Sequence, residues 1–104
     1  MKKVIWNELA EAQLDHSIAF VSDVWGKAAG ERLLRESRHI SHLLATHPHL
    51  GAPEPLLADR PQGYRSIVVG HYNKFIYFIS GDVVHIAAVW DTRRNPSALV
   101  DDVS

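Results

Sequence analysis

Residues 64–96 read YRSIVVGHYNKFIYFISGDVVHIAAVWDTRRNP, and this stretch decides the fold. Ile67, Val68 and Val69 are β-branched and apolar, a residue class that suits a half-buried pleated surface. Gly70, His71, Tyr72 and Asn73 break the run, and Lys74–Ile79 resumes it with aromatic residues. Ser80, Gly81 and Asp82 supply a second turn, with Gly81 free to take a positive φ. Val83–Trp90 is the third strand, and the segment leaves the sheet through Arg93, Arg94, Asn95 and Pro96. The expected unit is an antiparallel meander with cations at its exit. Strand periodicity sends Phe75, Tyr77 and Ile79 one way and Lys74, Ile76 and Phe78 the other. In the last strand, Val84, Ile86, Ala88 and Trp90 should oppose Val83, His85, Ala87 and Val89. Both faces are then apolar, so both must be covered.

The chain ahead of the meander supplies one cover. Lys2–Trp6 reads as a short strand. Asn7 suits a helix N-cap, with Glu8 and Glu11 in a first turn where the helix dipole favours acids. Leu14, Ile18, Val21 and Trp25 recur at spacings of four, three and four, an amphipathic stripe over Glu8–Trp25. After Gly26 a second helix is expected over Ala28–Thr46, its apolar side carrying Ala29, Leu33, Ile40, Leu43 and Leu44. So short a join implies an antiparallel hairpin. Arg32, Arg35, His39 and His42 form a separate basic stripe, readable as a solvated face or as a partner or phosphate surface. His47-Pro48 stops the helix. Gly51–Gly63 holds Pro53, Pro55 and Pro61 and reads as an irregular connector, of a length that is often functional. The expected architecture is α+β, in the order β-α-α-β-β-β. The helical hairpin packs on one face of a mainly antiparallel four-stranded sheet. The second face is left for a loop, a second copy or another protein.

Composition sets outer bounds. A chain of 104 residues fits a single domain spanning 1–104. It has no cysteine, so no disulfide or thiolate metal site is expected, and the absence fits a reducing, cytoplasmic setting. No apolar run approaches the roughly 18 residues that would span a membrane. The net charge of −1 does not by itself call for a nucleic-acid partner. The meander is locally basic all the same: Arg65, Lys74, Arg93 and Arg94 stand against Asp82 and Asp91. His39, His42, His47 and His49 are close in sequence. Without cysteine partners they do not make a zinc motif, and neither metal nor cofactor is expected.

At this point the pattern resembles the RelE/ParE superfamily, the toxins of type II toxin–antitoxin pairs. The resemblance covers nearly the whole chain. It rests on His47-Pro48, Leu50-Gly51, Gly63-Tyr64-Arg65-Ser66, Val69-Gly70-His71-Tyr72, Gly81-Asp82 and Arg93. It implies a cognate antitoxin as partner, with a homodimer or a hetero-oligomer left open. The antitoxin would lay a helix or strand on the second sheet face and the unpaired edge. The two branches of the superfamily imply different activities. ParE-like members bind and poison DNA gyrase without chemistry of their own. RelE- and YoeB-like members cleave mRNA in the ribosome, which requires a base for the ribose 2′-OH, cations for the phosphorane and an acid for the leaving oxygen.

Gly51-Ala52-Pro53-Glu54-Pro55-Leu56 resembles the YoeB-type segment and would make Glu54 the base, with Arg65, Lys74 and Arg93 as the remaining ribonuclease candidates. The histidine–tyrosine pair that YoeB-type members carry after the last strand is replaced here by Thr92 and Arg93, so the general acid is missing from its place. Low net charge also disfavours docking on ribosomal RNA. The ParE-like reading is therefore favoured. Its target-binding candidates are Arg65, His71, Tyr72, Arg93 and Arg94, with the three arginines expected at one end of the sheet. A degenerate toxin that acts only as a binding module is the remaining alternative.

Overall fold

The structure, a computed structural model, describes residues 1–103. Its centre is the pair β4 (Asn73–Ser80) and β5 (Val83–Asp91), flanked by β3 (Arg65–Val69) on one side and β1 (Lys3–Trp6) on the other. The β3–β4 and β4–β5 pairs are antiparallel, as the meander requires, whereas β1 runs parallel to β5 with Lys3 opposite Val83. The sheet has five strands rather than the expected four. Ala52–Pro53 forms a two-residue strand, β2, that pairs antiparallel with Arg65 and Ser66. The connector is thus not irregular throughout, and it continues through a 3-10 turn at Pro55–Leu57.

Helices α1 (Glu8–Trp25) and α2 (Lys27–Thr46) form the hairpin. The Asn7 side chain accepts from the Ala10 amide at 2.8 Å, which fixes where α1 starts. The helices approach closely where Gly30 faces Ser22. A Cβ at Gly30 would stand 1.9 Å from the Ser22 hydroxyl and 3.1 Å from its Cβ, so a side chain there would displace Ser22. Between hairpin and sheet lie Leu33, Leu44, Phe75, Tyr77, Val84, Ile86 and Val89, with Trp6 edge-on to Phe75 at 5.0 Å. Removing a side chain such as Phe75 from water contributes about 1.5–3 kcal/mol.

The other sheet face is covered from within the chain, by the connector and a further helix, rather than by the antitoxin element expected there. A third helix, α3 (Pro96–Asp102), starts at Asn95, whose side chain accepts from the Ser97 amide. It lowers Leu99, with Val103 just beyond, onto Ile76, Ala88 and Trp90, and Leu57 of the 3-10 turn and Tyr64 join them. Trp90 reaches this cluster because of a bulge. The register passes from Ile76 opposite Ala88 to Tyr77 opposite Ile86, which leaves Ala87 unpaired. The strict alternation expected for β5 therefore fails: Val84, Ile86 and Val89 face the helices, and Ala88 and Trp90 the second face.

Candidate functional site

The Pro-rich connector folds back onto the sheet, and Glu54 goes with it. Only 2% of this residue is exposed. Its Oε2 accepts from the Leu56 amide at 2.9 Å, capping the 3-10 turn, and its Oε1 accepts from the Ser66 hydroxyl at 3.0 Å. Lys74 of β4 donates to the same oxygen in a largely buried ion pair. Burial pushes the Glu54 carboxyl up. The Lys74 hydrogen bond, the Leu56 amide, the Lys74 charge and Ser66 together outweigh burial and hold it below its ordinary range. A carboxylate so bonded and so buried holds the connector to the sheet and is shielded from a substrate hydroxyl.

Arg65, Gly51 and Tyr77 form a second latch. The buried Tyr77 hydroxyl donates to the Pro48 carbonyl at 2.8 Å and accepts from the Gly51 amide at 2.9 Å. The Arg65 guanidinium donates through Nε to the Gly51 carbonyl at 2.8 Å. Gly51 has no room for a side chain, because a Cβ there would lie 2.6 Å from the Ser66 carbonyl oxygen. Burial pushes the Tyr77 hydroxyl above its usual range, so it stays protonated and keeps donating. From the sequence, strand periodicity places Tyr77 on one face with Phe75 and Ile79 and assigns it no partner. Its role here depends on which backbone the connector presents to it.

The expected gathering of Arg65, Arg93 and Arg94 at one end of the sheet does not occur. Arg65 pairs with Tyr77 in mid-sheet, whereas Arg93 and Arg94 follow Asp91, which pairs with Asn73 at the far end. At that far end the Arg93 guanidinium grips both Asp91 oxygens, at 3.0 and 2.8 Å, and lies 4.3 Å from the Tyr72 ring centroid and 5.8 Å from that of Phe20. The hydrogen bonds from Arg93 hold the Asp91 carboxyl below its ordinary range despite some opposing burial. Arg94 lies over Trp90 at 4.6 Å and pairs with Asp102 of α3 at 3.6 Å. His71 is exposed beside Tyr72, with ring centroids 6.1 Å apart.

Two clefts meet at this end. One, of about 490 Å³, runs between α1 and the end of β5, and the other continues past the helical turn. Val21, Trp25, Tyr72 and Asn73 line both. Trp25 is 68% exposed and Phe20 and Tyr72 are close to half exposed, an aromatic cluster that the core does not use. The helical stripe had placed Trp25 among core residues, and Phe20 was not singled out at all. The signal for Trp25 was its place in the last turn of α1, directly before Gly26, beyond the reach of the sheet. Of the candidates, Tyr72 and Arg93 touch here, with His71 and Arg94 beside them, while Glu54, Lys74 and Arg65 lie elsewhere. Among the described residues no three His, Cys, Asp or Glu side chains converge to hold a metal ion. No helix there is long and apolar enough to cross a membrane.

The profile of the family described as the ParE toxin of the type II toxin–antitoxin system, parDE, matches residues 4–96. A solved structure described as the chromosomal ParDE TA system from P. aeruginosa superposes with a TM-score of 0.71 at 16% identity, covering 88% of this chain and 96% of that one. At that identity the likeness is one of fold. No curated protein matches the chain by sequence.

Proposed function

This chain belongs to the ParE toxin family of type II toxin–antitoxin systems, and from that premise we propose that it arrests growth by binding DNA gyrase, with no chemistry of its own, until a cognate antitoxin covers it. The observation that carries the reading is the state of Glu54. The one carboxylate that could serve a YoeB-like ribonuclease as base is buried and tied to Lys74, Ser66 and the Leu56 amide. Lys74 is spent in the same contact and is not offered to a phosphate. Binding, by contrast, needs exposed anchors, and aromatic residues and arginine are the types that dominate interface energies. Trp25, Phe20, Tyr72 and Arg93 supply that set on one surface. The antitoxin would act by burying the same anchors.

The test uses purified components. The protein should inhibit supercoiling by gyrase and leave ribosome-bound mRNA intact. Adding the antitoxin should restore supercoiling. Cleavage of mRNA with supercoiling untouched would overturn the proposal, and so would inhibition that survives loss of both Trp25 and Tyr72.

A further inference from the structure

The helical hairpin is electrically lopsided. Helix α1 carries Glu8, Glu11, Asp15 and Asp23 and no lysine or arginine, whereas α2 carries Lys27, Arg32, Arg35 and Arg38 against two glutamates. Among the described residues neither glutamate forms an ion pair with an arginine. Glu31 pairs with Lys27, and Glu36 is half-buried, with its carboxylate near Gly70 of the β3–β4 turn. The chain's other four arginines all have partners: Arg60 donates to the Val100 carbonyl, Arg65 to the Gly51 carbonyl, Arg93 pairs with Asp91 and Arg94 with Asp102. Arg32, Arg35 and Arg38 are exposed, and among the described residues none of them forms an ion pair.

These side chains share one face with two histidines. At about 100° per residue, Arg32, Arg35, His39 and His42 fall within an arc of about 80°, with Arg38 beside it, along about 15 Å of helix. We propose that this face of α2 binds the phosphate backbone of duplex DNA, independently of sequence and of gyrase. Two observations favour DNA over an acidic protein segment. The face carries three arginines without ion pairs, and Glu31 at its edge is taken up by Lys27, which suits a polyanion carrying one charge per about 3.4 Å of each strand. And α2 exposes no large hydrophobic side chain, so it lacks the anchors that protein interfaces use. The anchors of this molecule lie around Trp25, at the turn of the hairpin, where Arg32 borders their cleft and Arg35 and Arg38 do not.

The experiment is fluorescence anisotropy of a labelled mixed-sequence duplex of about 20 base pairs titrated with the whole protein, with no gyrase present. Neutralising three to five phosphates predicts that affinity falls about 40- to 500-fold between 50 and 200 mM salt. The triple variant Arg32→Gln, Arg35→Gln, Arg38→Gln should lose measurable binding at 50 mM salt and keep the parent's circular dichroism. Arg60→Gln removes one charge away from α2 and should bind as the parent does, whereas Arg35→Gln alone, the same change on the face, should weaken binding. The single reversal Arg35→Glu gives a second reading and should weaken binding at least tenfold. The proposal is overturned if the duplex does not bind at 50 mM salt, or if the triple variant binds as tightly as the parent. It is equally overturned if a polyglutamate peptide displaces the duplex at matched charge, which would assign the face to an acidic protein. Gyrase inhibition does not enter the readout, so this test and the preceding one fail separately.

Discussion

Replacing Glu54 with alanine separates a structural carboxylate from a catalytic one. In the folded chain the substitution strands Lys74, whose side chain is only 18% exposed, and deprives the Ser66 hydroxyl and the Leu56 amide of an acceptor. Removing one partner of a buried ion pair costs about 3–5 kcal/mol, because the other charge remains buried without compensation. At this chain length that corresponds to a fall in Tm of about 12–20 °C. The double variant Glu54→Gln, Lys74→Met removes both charges and should recover at least half of the loss. Urea unfolding followed by the fluorescence of the three tryptophans measures each value. pH gives an independent check. The Glu54 carboxyl is held below its ordinary value in the folded state. Its stabilisation is therefore complete above the unfolded value of about 4.3 and is lost as pH falls from there through the folded value. The parent should lose stability over that acid window, and the double variant should lose less. If Glu54→Ala unfolds within about 1 kcal/mol of the parent while growth arrest disappears, Glu54 is a working group and the binding reading is wrong.

Three further outcomes follow from the same geometry. Tyr77→Phe leaves the buried Gly51 amide without its acceptor, so unfolding should come about 1–3 kcal/mol sooner, with inhibition of gyrase intact at low temperature. Leu99→Ala, which opens a gap beneath α3, should cost about 2–5 kcal/mol by denaturant titration and raise binding of a hydrophobic dye. Trp25→Ala and Tyr72→Ala should leave the urea midpoint near the parent's, since both rings are largely outside the core, yet weaken gyrase binding at least tenfold by surface plasmon resonance.

The parts of the fold that depend on local rules were open to sequence reasoning. Asn7 caps α1 as its side chain allows, and the turns at Gly70 and Gly81 separate strands whose pairing follows from adjacency. What escaped depended on contacts far along the chain. Helix α3 has seven residues and no long stripe, and its one local signal is Asn95-Pro96, a side-chain cap followed by a proline at the first helical position. The bulge at Ala87 leaves no trace in a run of small and β-branched residues, so the faces assigned to Ala88 and Val89 came out reversed. The burial of Glu54 was hidden because a glutamate between two prolines looks solvated until Leu57, three residues on, anchors the loop to Trp90 and Ile76. At the candidate site, Tyr72 and Arg93 were among the residues that the family resemblance marked. Phe20 and Trp25 were not, because periodicity tells which side of a helix an apolar residue occupies and not whether the sheet extends far enough to meet it.

The parallel pairing of β1 with β5 has a consequence in time. Lys3 is made before its register partner Val83, which follows 80 residues later. At synthesis rates of about 5–20 residues per second, some 4–16 seconds separate the two. Through that interval the hairpin can form, but the central sheet cannot close, because β5 lies between β1 and β4. The aromatic surface around Tyr72 and Arg93 is also assembled only after Asp91 has been made. The anchors proposed for binding therefore come together only once the sheet closes.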